Sequence, residues 1–140
     1  MKPESASSRL AQLGVVIVAV GFALFITGVF PDLIRLDRTP GVGIVQIAVF
    51  LFGLTLMTLG SYVYLYATRH RAQVARLRED VGARLMATGL VITYAAGLAD
   101  VLGIGSHFGA ERPLFGWLQA SGVALGVLVI IVGIFLYSAK

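Results

Sequence analysis

Asp100, Gln46 and Gln119 are the residues from which chemistry would have to start, because each stands inside a long apolar stretch where polar side chains need a reason to be. A carboxylate removed from water needs a cation, a proton or hydrogen-bond donors to offset the lost hydration, so it serves either as half of an internal ion pair or as a handle for a proton, ion or polar solute. A carboxamide both donates and accepts, and so acts as a link between helices or as a ligand contact. Counting inward from the neighbouring polar segments puts the three at similar depth, about two helical turns or less from one surface. Arg35, Arg38, His107 and Arg112 lie in the two segments on that side and are the candidate partners of Asp100. Two readings stay open: a structural polar cluster, and a site that handles an ion or solute.

Other chemistry finds little support. The chain has no cysteine, which removes disulfides and thiolate ligands, and its two histidines, His70 and His107, fall in different polar segments. No HExxH, P-loop or GxSxG pattern is present, so neither zinc hydrolysis, nucleotide binding nor a serine nucleophile has its residues in place. No catalytic residue, metal or cofactor is assigned, and an enzyme is not expected. Nucleic acid is not an expected partner either, since the basic residues are few and lie beside apolar stretches.

The elements that must position these residues follow from composition. Of 140 residues 58% are hydrophobic and 13% charged, too apolar for an ordinary water-soluble domain. Crossing a hydrocarbon core takes about 20 mostly apolar residues per helix. Residues 10–30, 41–68 and 113–139 carry no charge, and 85–106 carries only Asp100, so four transmembrane helices are expected in a single membrane domain. The first run is longer than the core of a signal peptide and lacks a small-residue cleavage pattern, so it is expected to be retained.

Orientation follows from basic residues, which are retained in the cytoplasm when they flank spans. Lys2, Arg9, Arg69, Arg71, Arg76, Arg78, Arg84 and Lys140 fall on one side of a four-span arrangement, against Arg35, Arg38 and Arg112 on the other. Both termini are therefore expected inside, in what is expected to be a bacterial cytoplasmic (inner) membrane. Trp117 and Phe115 are expected to mark the outer interface and Tyr64, Tyr66 and Tyr137 the inner one. Arg69, Arg71, Arg76 and Arg78 also form a candidate site for anionic lipid.

The chain also repeats itself. Pro40, Gly43, Gln46, Gly53, Gly60 and Tyr64 recur, at one constant offset and without a gap, as Pro113, Gly116, Gln119, Gly126, Gly133 and Tyr137. Arg9, Leu10, Gly14, Val16, Ile17 and Gly28 match Arg84, Leu85, Gly89, Val91, Ile92 and Gly103. The expected fold is thus an all-α four-helix bundle of two tandem helical hairpins, repeat one at 9–66 and repeat two at 84–138, joined by a cytoplasmic linker at 67–83. In this alignment Asp100 falls opposite Phe25.

Within each helix small residues recur every seven positions: Gly14, Gly21 and Gly28; Gly53 and Gly60; Gly82, Gly89, Ala96 and Gly103; Gly126 and Gly133. Seven residues are nearly two turns, so each set lines one helix face and is expected to be a packing seam, with Gly122 and Gly126 adding a GxxxG pair. More glycine than one small bundle needs points to a protein that packs against itself, as a homo-oligomer, or against a larger membrane complex. The other reading is a small transporter or channel working through Asp100.

Overall fold

The computed structural model describes residues 3–30, 43–69, 77–99, 101–102 and 116–139, and among these all regular structure is helical. Four helices follow one another: α1 (Pro3–Val29), α2 (Ile44–Arg69), α3 (Leu77–Gly97) and α4 (Trp117–Ser138). Residues 7–29 of α1, all of α2 and all of α4 are long and apolar enough to cross a membrane, which marks the chain as a membrane protein. The described part of α3 does not meet that criterion, because Arg78, Glu79, Asp80 and Arg84 occupy its first turns.

That start is earlier than the apolar run at 85–106 implies. Glu79 and Asp80 sit in the first turn, where carboxylates favour the exposed N–H groups and the positive end of the helix dipole. Asp80 also pairs with Arg84 one turn on, at 2.9 Å, although both side chains are largely exposed and the pair adds little. The helix ends earlier than expected as well, at Gly97, after which the N–H of Ala99 shortens its reach to the carbonyl of Ala96.

α1 packs on α2 and α3 on α4, and α2 touches both α3 and α4. Within each pair the contact is backbone against backbone. A methyl group placed on Gly21 would lie 2.8 Å from the carbonyl oxygen of Gly53, and one on Gly53 would lie 2.8 Å from that of Gly21. Gly14 and Gly60 face each other in the same reciprocal way, at 2.9 and 2.8 Å. In the other pair Gly82 and Gly133 repeat it at 2.8 Å both ways, and Gly89 and Gly126 at 2.6 and 2.7 Å. Since the second hydrogen on a glycine Cα takes the direction a Cβ would take, each of these pairs aims two Cα–H groups at two carbonyls. Such contacts contribute about 0.5–1 kcal/mol each at helix interfaces. Lipid supplies no hydrophobic drive between helices, so close approach is what holds them.

The pairing differs from the sequence alignment in one respect. Gly14 opposes Gly60 and Gly82 opposes Gly133, and Gly133 is the residue that matches Gly60. In the packing, then, Gly82 takes the place of Gly14 and Gly89 that of Gly21, a slip of one glycine spacing from the sequence match of Gly14 with Gly89. Other residues at the seam obey the same relation. Val18 and Phe25 face Gly60 and Gly53, and Met86 and Thr93 face Gly133 and Gly126.

Between the pairs, Ile47, Phe50 and Leu51 of α2 form one buried cluster against Phe25, Tyr94, Leu98 and Val123. Leu65, Met86 and Tyr137 form a second at the other end. Tyr137 is thus buried at the joint, with its ring edge-on to Tyr62 at 5.9 Å, and does not lie at an exposed interface. Tyr64, Tyr66 and Trp117 are exposed, and Phe115 lies outside the described residues.

Alanine at Gly53 or Gly126 is expected to lower helix-pair stability by about 1–3 kcal/mol, as inserting carbon into a filled contact does. Alanine at Gly43 or Gly116, where nothing lies within 4 Å, is expected to be close to neutral. Thermal unfolding in mild detergent, followed by circular dichroism, measures both; equal shifts at the two kinds of site would remove the seam as the source of cohesion.

Candidate functional site

Gln119 is the predicted site residue about which the structure says most. It occupies the third position of α4 and is buried, 7% exposed. Its side-chain Oε1 accepts the N–H of Gly116 at 2.8 Å and so satisfies one of the amides left free where α4 begins. Gly116 has no side chain to return the favour, so only this half of a reciprocal cap exists. With Oε1 held there the amide cannot turn over without setting donor against donor. Its Nε2 is therefore fixed, buried and without a hydrogen-bond partner among the described residues. A buried donor left unmatched costs about 1–3 kcal/mol, so an acceptor there would be well used.

Gln46 stands at the matching position of α2, is half-buried, and makes no side-chain hydrogen bond among the described residues. The two glutamines are not joined to each other. Asp100, Arg35, Arg38, His107 and Arg112 lie outside the described residues, as do Gly103, Arg71 and Arg76, so a polar cluster around Asp100 rests on the sequence. The packing register does alter its alignment. Phe25 has Thr93 as its counterpart among the described residues, and the same offset, counted along the sequence alone, sets Asp32 at the position of Asp100.

The glycines named from their spacing are placed as follows. Gly14, Gly21, Gly28, Gly53 and Gly60 lie between α1 and α2, where a methyl on Gly28 would strike the backbone of Phe50. Gly89, Gly126 and Gly133 lie between α3 and α4, together with Gly82 and with Gly122, which meets Ala96. Among the described residues no group of three or more acidic, histidine or cysteine side chains could hold a metal.

Two polar links between the helix pairs leave no sign in the sequence. The hydroxyls of Thr55 on α2 and Tyr94 on α3 share a hydrogen bond of 2.9 Å, and Thr55 also donates to the carbonyl of Leu51 at 2.9 Å, so Tyr94 is the donor of the cross-link. The Arg69 guanidinium at the end of α2 donates to the carbonyls of Ser138 and Ala139 at the end of α4, the latter at 3.4 Å. Helix C-termini leave carbonyls free and carry partial negative charge, so Arg69 serves as a cap supplied by another helix. Its place in a basic run points to lipid instead, and nothing in its position after Thr68 signals this use. Buried Thr58 and Thr93 satisfy themselves, each donating at 2.8 Å to the carbonyl four residues back.

The fold and these contacts define a small helical membrane protein with backbone-packed seams. Comparison with protein-family models, curated proteins and solved structures finds no match to this chain.

Replacing Gln119 by Met removes one cap bond and one stranded donor together, so its cost is expected to stay within about 1 kcal/mol. A double-mutant cycle with Thr55→Val and Tyr94→Phe is expected to give a coupling of about 0.6 kcal/mol and no more than about 1.7 kcal/mol, the range for hydrogen bonds between membrane helices. Denaturation in mixed micelles reads both; a large loss at Gln119 would show that its Nε2 is matched in the membrane.

Proposed function

We propose that this chain is a nonenzymatic membrane protein of four spans that works by packing, as a subunit or assembly and stability factor for itself or for a larger membrane complex. The observation that carries the reading is the reciprocal glycine contact in both helix pairs. Where backbones touch, the interior of each pair is filled by the chain itself, and recognition falls to the outer faces. Those faces present large apolar side chains such as Val16, Phe52, Leu128 and Phe135.

The tandem-hairpin architecture belongs to this proposal. Both reciprocal glycine contacts between α1 and α2 find their counterparts between α3 and α4, with Gly82 and Gly89 answering to Gly14 and Gly21, and Gly126 and Gly133 to Gly53 and Gly60, whereas the contact of Gly28 with Phe50 is not repeated. A fourth span is supported by the sequence after Gly97, which stays apolar through Leu98, Ala99, Val101 and Leu102 around Asp100. The excess of Arg between the end of α2 and the first turns of α3, with Lys2, Arg9 and Lys140 near the termini, supports cytoplasmic termini in an inner membrane.

Extraction in a gentle detergent followed by native mass spectrometry is expected to yield an assembly, of this chain or with partners; a lone monomer counts against the proposal. Reporter fusions at residues 1 and 140 are both expected to read cytoplasmic.

A second reading has one observation in its favour, the buried Nε2 of Gln119 that has no partner among the described residues, which suits a polar solute or ion pathway that includes Gln46 and Asp100. Under it, flux in liposomes would be present for the wild type and lost for Asp100→Asn. Silence of both across a broad set of ions and solutes removes this reading.

A further inference from the structure

The two helix pairs meet head to tail. α2 of the first packs on α3 of the second and, less extensively, on one side of α4, while α1 makes no comparable contact with α3 or α4 among the described residues. A joint of this kind uses two different surfaces, and a chain built of two such units keeps one unused copy of each. The unused copy of the α2 surface lies on α4, at the offset that carries Gly60 onto Gly133. The unused copy of the α3 surface lies on α1, at the offset that carries Gly82 back onto Gly14.

Both are open. Ile47 and Leu51 are each 1% exposed at the joint, whereas their counterparts Ala120 and Ala124 are exposed on α4. Gly97 is buried beside Leu51, whereas its counterpart Val29 is exposed on α1.

The substitutions between used and unused surfaces compensate each other. At the joint a large Leu51 meets Gly97, with the leucine carbons 3.4 Å from where a methyl on the glycine would lie. The unused pair sets a small residue on the α2-type surface, Ala124, against a larger one on the α3-type surface, Val29, so knob and hole have changed sides. The hydrogen-bonded pair Thr55 and Tyr94 is replaced by Leu128 and Ile26, both apolar, so no polar group is stranded at this pair of positions. Ala120 and Ala124, one helical turn apart, also offer the close approach that lipid-embedded helices favour.

We infer that the occupant of both surfaces is a second copy of this chain, with α4 of each copy seated on α1 of the other. A twofold axis along the membrane normal makes both joints at once and keeps the two copies in the same orientation. α4 and α1 then run antiparallel, as α2 and α3 do. The inference rests on the tandem-hairpin reading above and gives self-association a definite surface.

The chain has no cysteine, so disulfides can be placed at will. Val29→Cys and Ala124→Cys chains, co-expressed in one membrane and oxidised with copper phenanthroline, are expected to give a band at twice the 14.9 kDa chain mass. Neither alone should give more than background. In a separate chain, Leu51→Cys with Gly97→Cys reports the internal joint, read after cleavage at a protease site inserted between residues 70 and 76. If the internal disulfide forms and the mixed one does not, pairing through α4 and α1 is overturned while the tandem architecture stands. Cross-linking of Ala124→Cys with itself as strong as in the mixture overturns it too, in favour of a symmetric α4 contact. If the internal disulfide fails to form, the tandem reading falls and the inference with it.

Discussion

Everything in this structure depends on how near two helix backbones can come when nothing but contact holds them. In water, apolar faces are driven together; in hydrocarbon, lipid tails satisfy a leucine as well as another leucine does. Glycine resolves this by removing the Cβ, so that at Gly21 and Gly53, or Gly89 and Gly126, Cα–H groups reach the opposing carbonyls. The spacing of seven then puts successive contacts about 10 Å apart along the helix, which aligns the pair over its length and fixes the face each helix turns inward. Side chains beside the seam, Val18 and Phe25 in one pair and Met86 and Thr93 in the other, take their places from that alignment.

The same period explains what is legible in the sequence and what is not. Glycine stripes announce which face is inward, and absence of charge announces the helices, so the four elements and the seam residues can be read from residue type and spacing. Register cannot be read that way. A slip of one glycine spacing sets glycine against glycine again, so matching Gly14 with Gly89 and matching it with Gly82 look almost equally good on paper. The packing shows which it is: the methyl that Gly14 lacks would strike Tyr64, four residues after Gly60, and the one that Gly82 lacks would strike Tyr137, four residues after Gly133. Tyr137 misleads for a related reason. An aromatic near a helix end suits the membrane interface, but a third helix pressed against the same turn buries it, and only the contact between the pairs reveals that.

Polar groups in the described helices are handled at short range. Thr58 and Thr93 turn their hydroxyls back on their own helices, Arg69 closes the end of a neighbouring helix, and Gln119 closes the start of its own. None of these uses shows in composition, since each depends on which turn the side chain leans over. Against this background the Nε2 of Gln119 is the exception. The Asp100 reading is unaffected by it and rests on the sequence.

The two helix pairs agree at the glycines where backbones touch, and this agreement has a physical basis. Inside a seam a residue meets backbone that cannot move, so Gly53 and Gly126, or Gly60 and Gly133, are held to the same type by the same geometry. On an outer face a residue is free to vary unless something lies against it. Leu51 and Ala124 occupy equivalent positions, yet one fills a space beside Gly97 and the other stands open. Drift toward lipid would favour large apolar side chains at such positions, since lipid accepts them without penalty. Alanine at both 120 and 124 is the pattern expected where a helix, rather than lipid, is the neighbour, and the proposed pairing with α1 of a second copy would supply one.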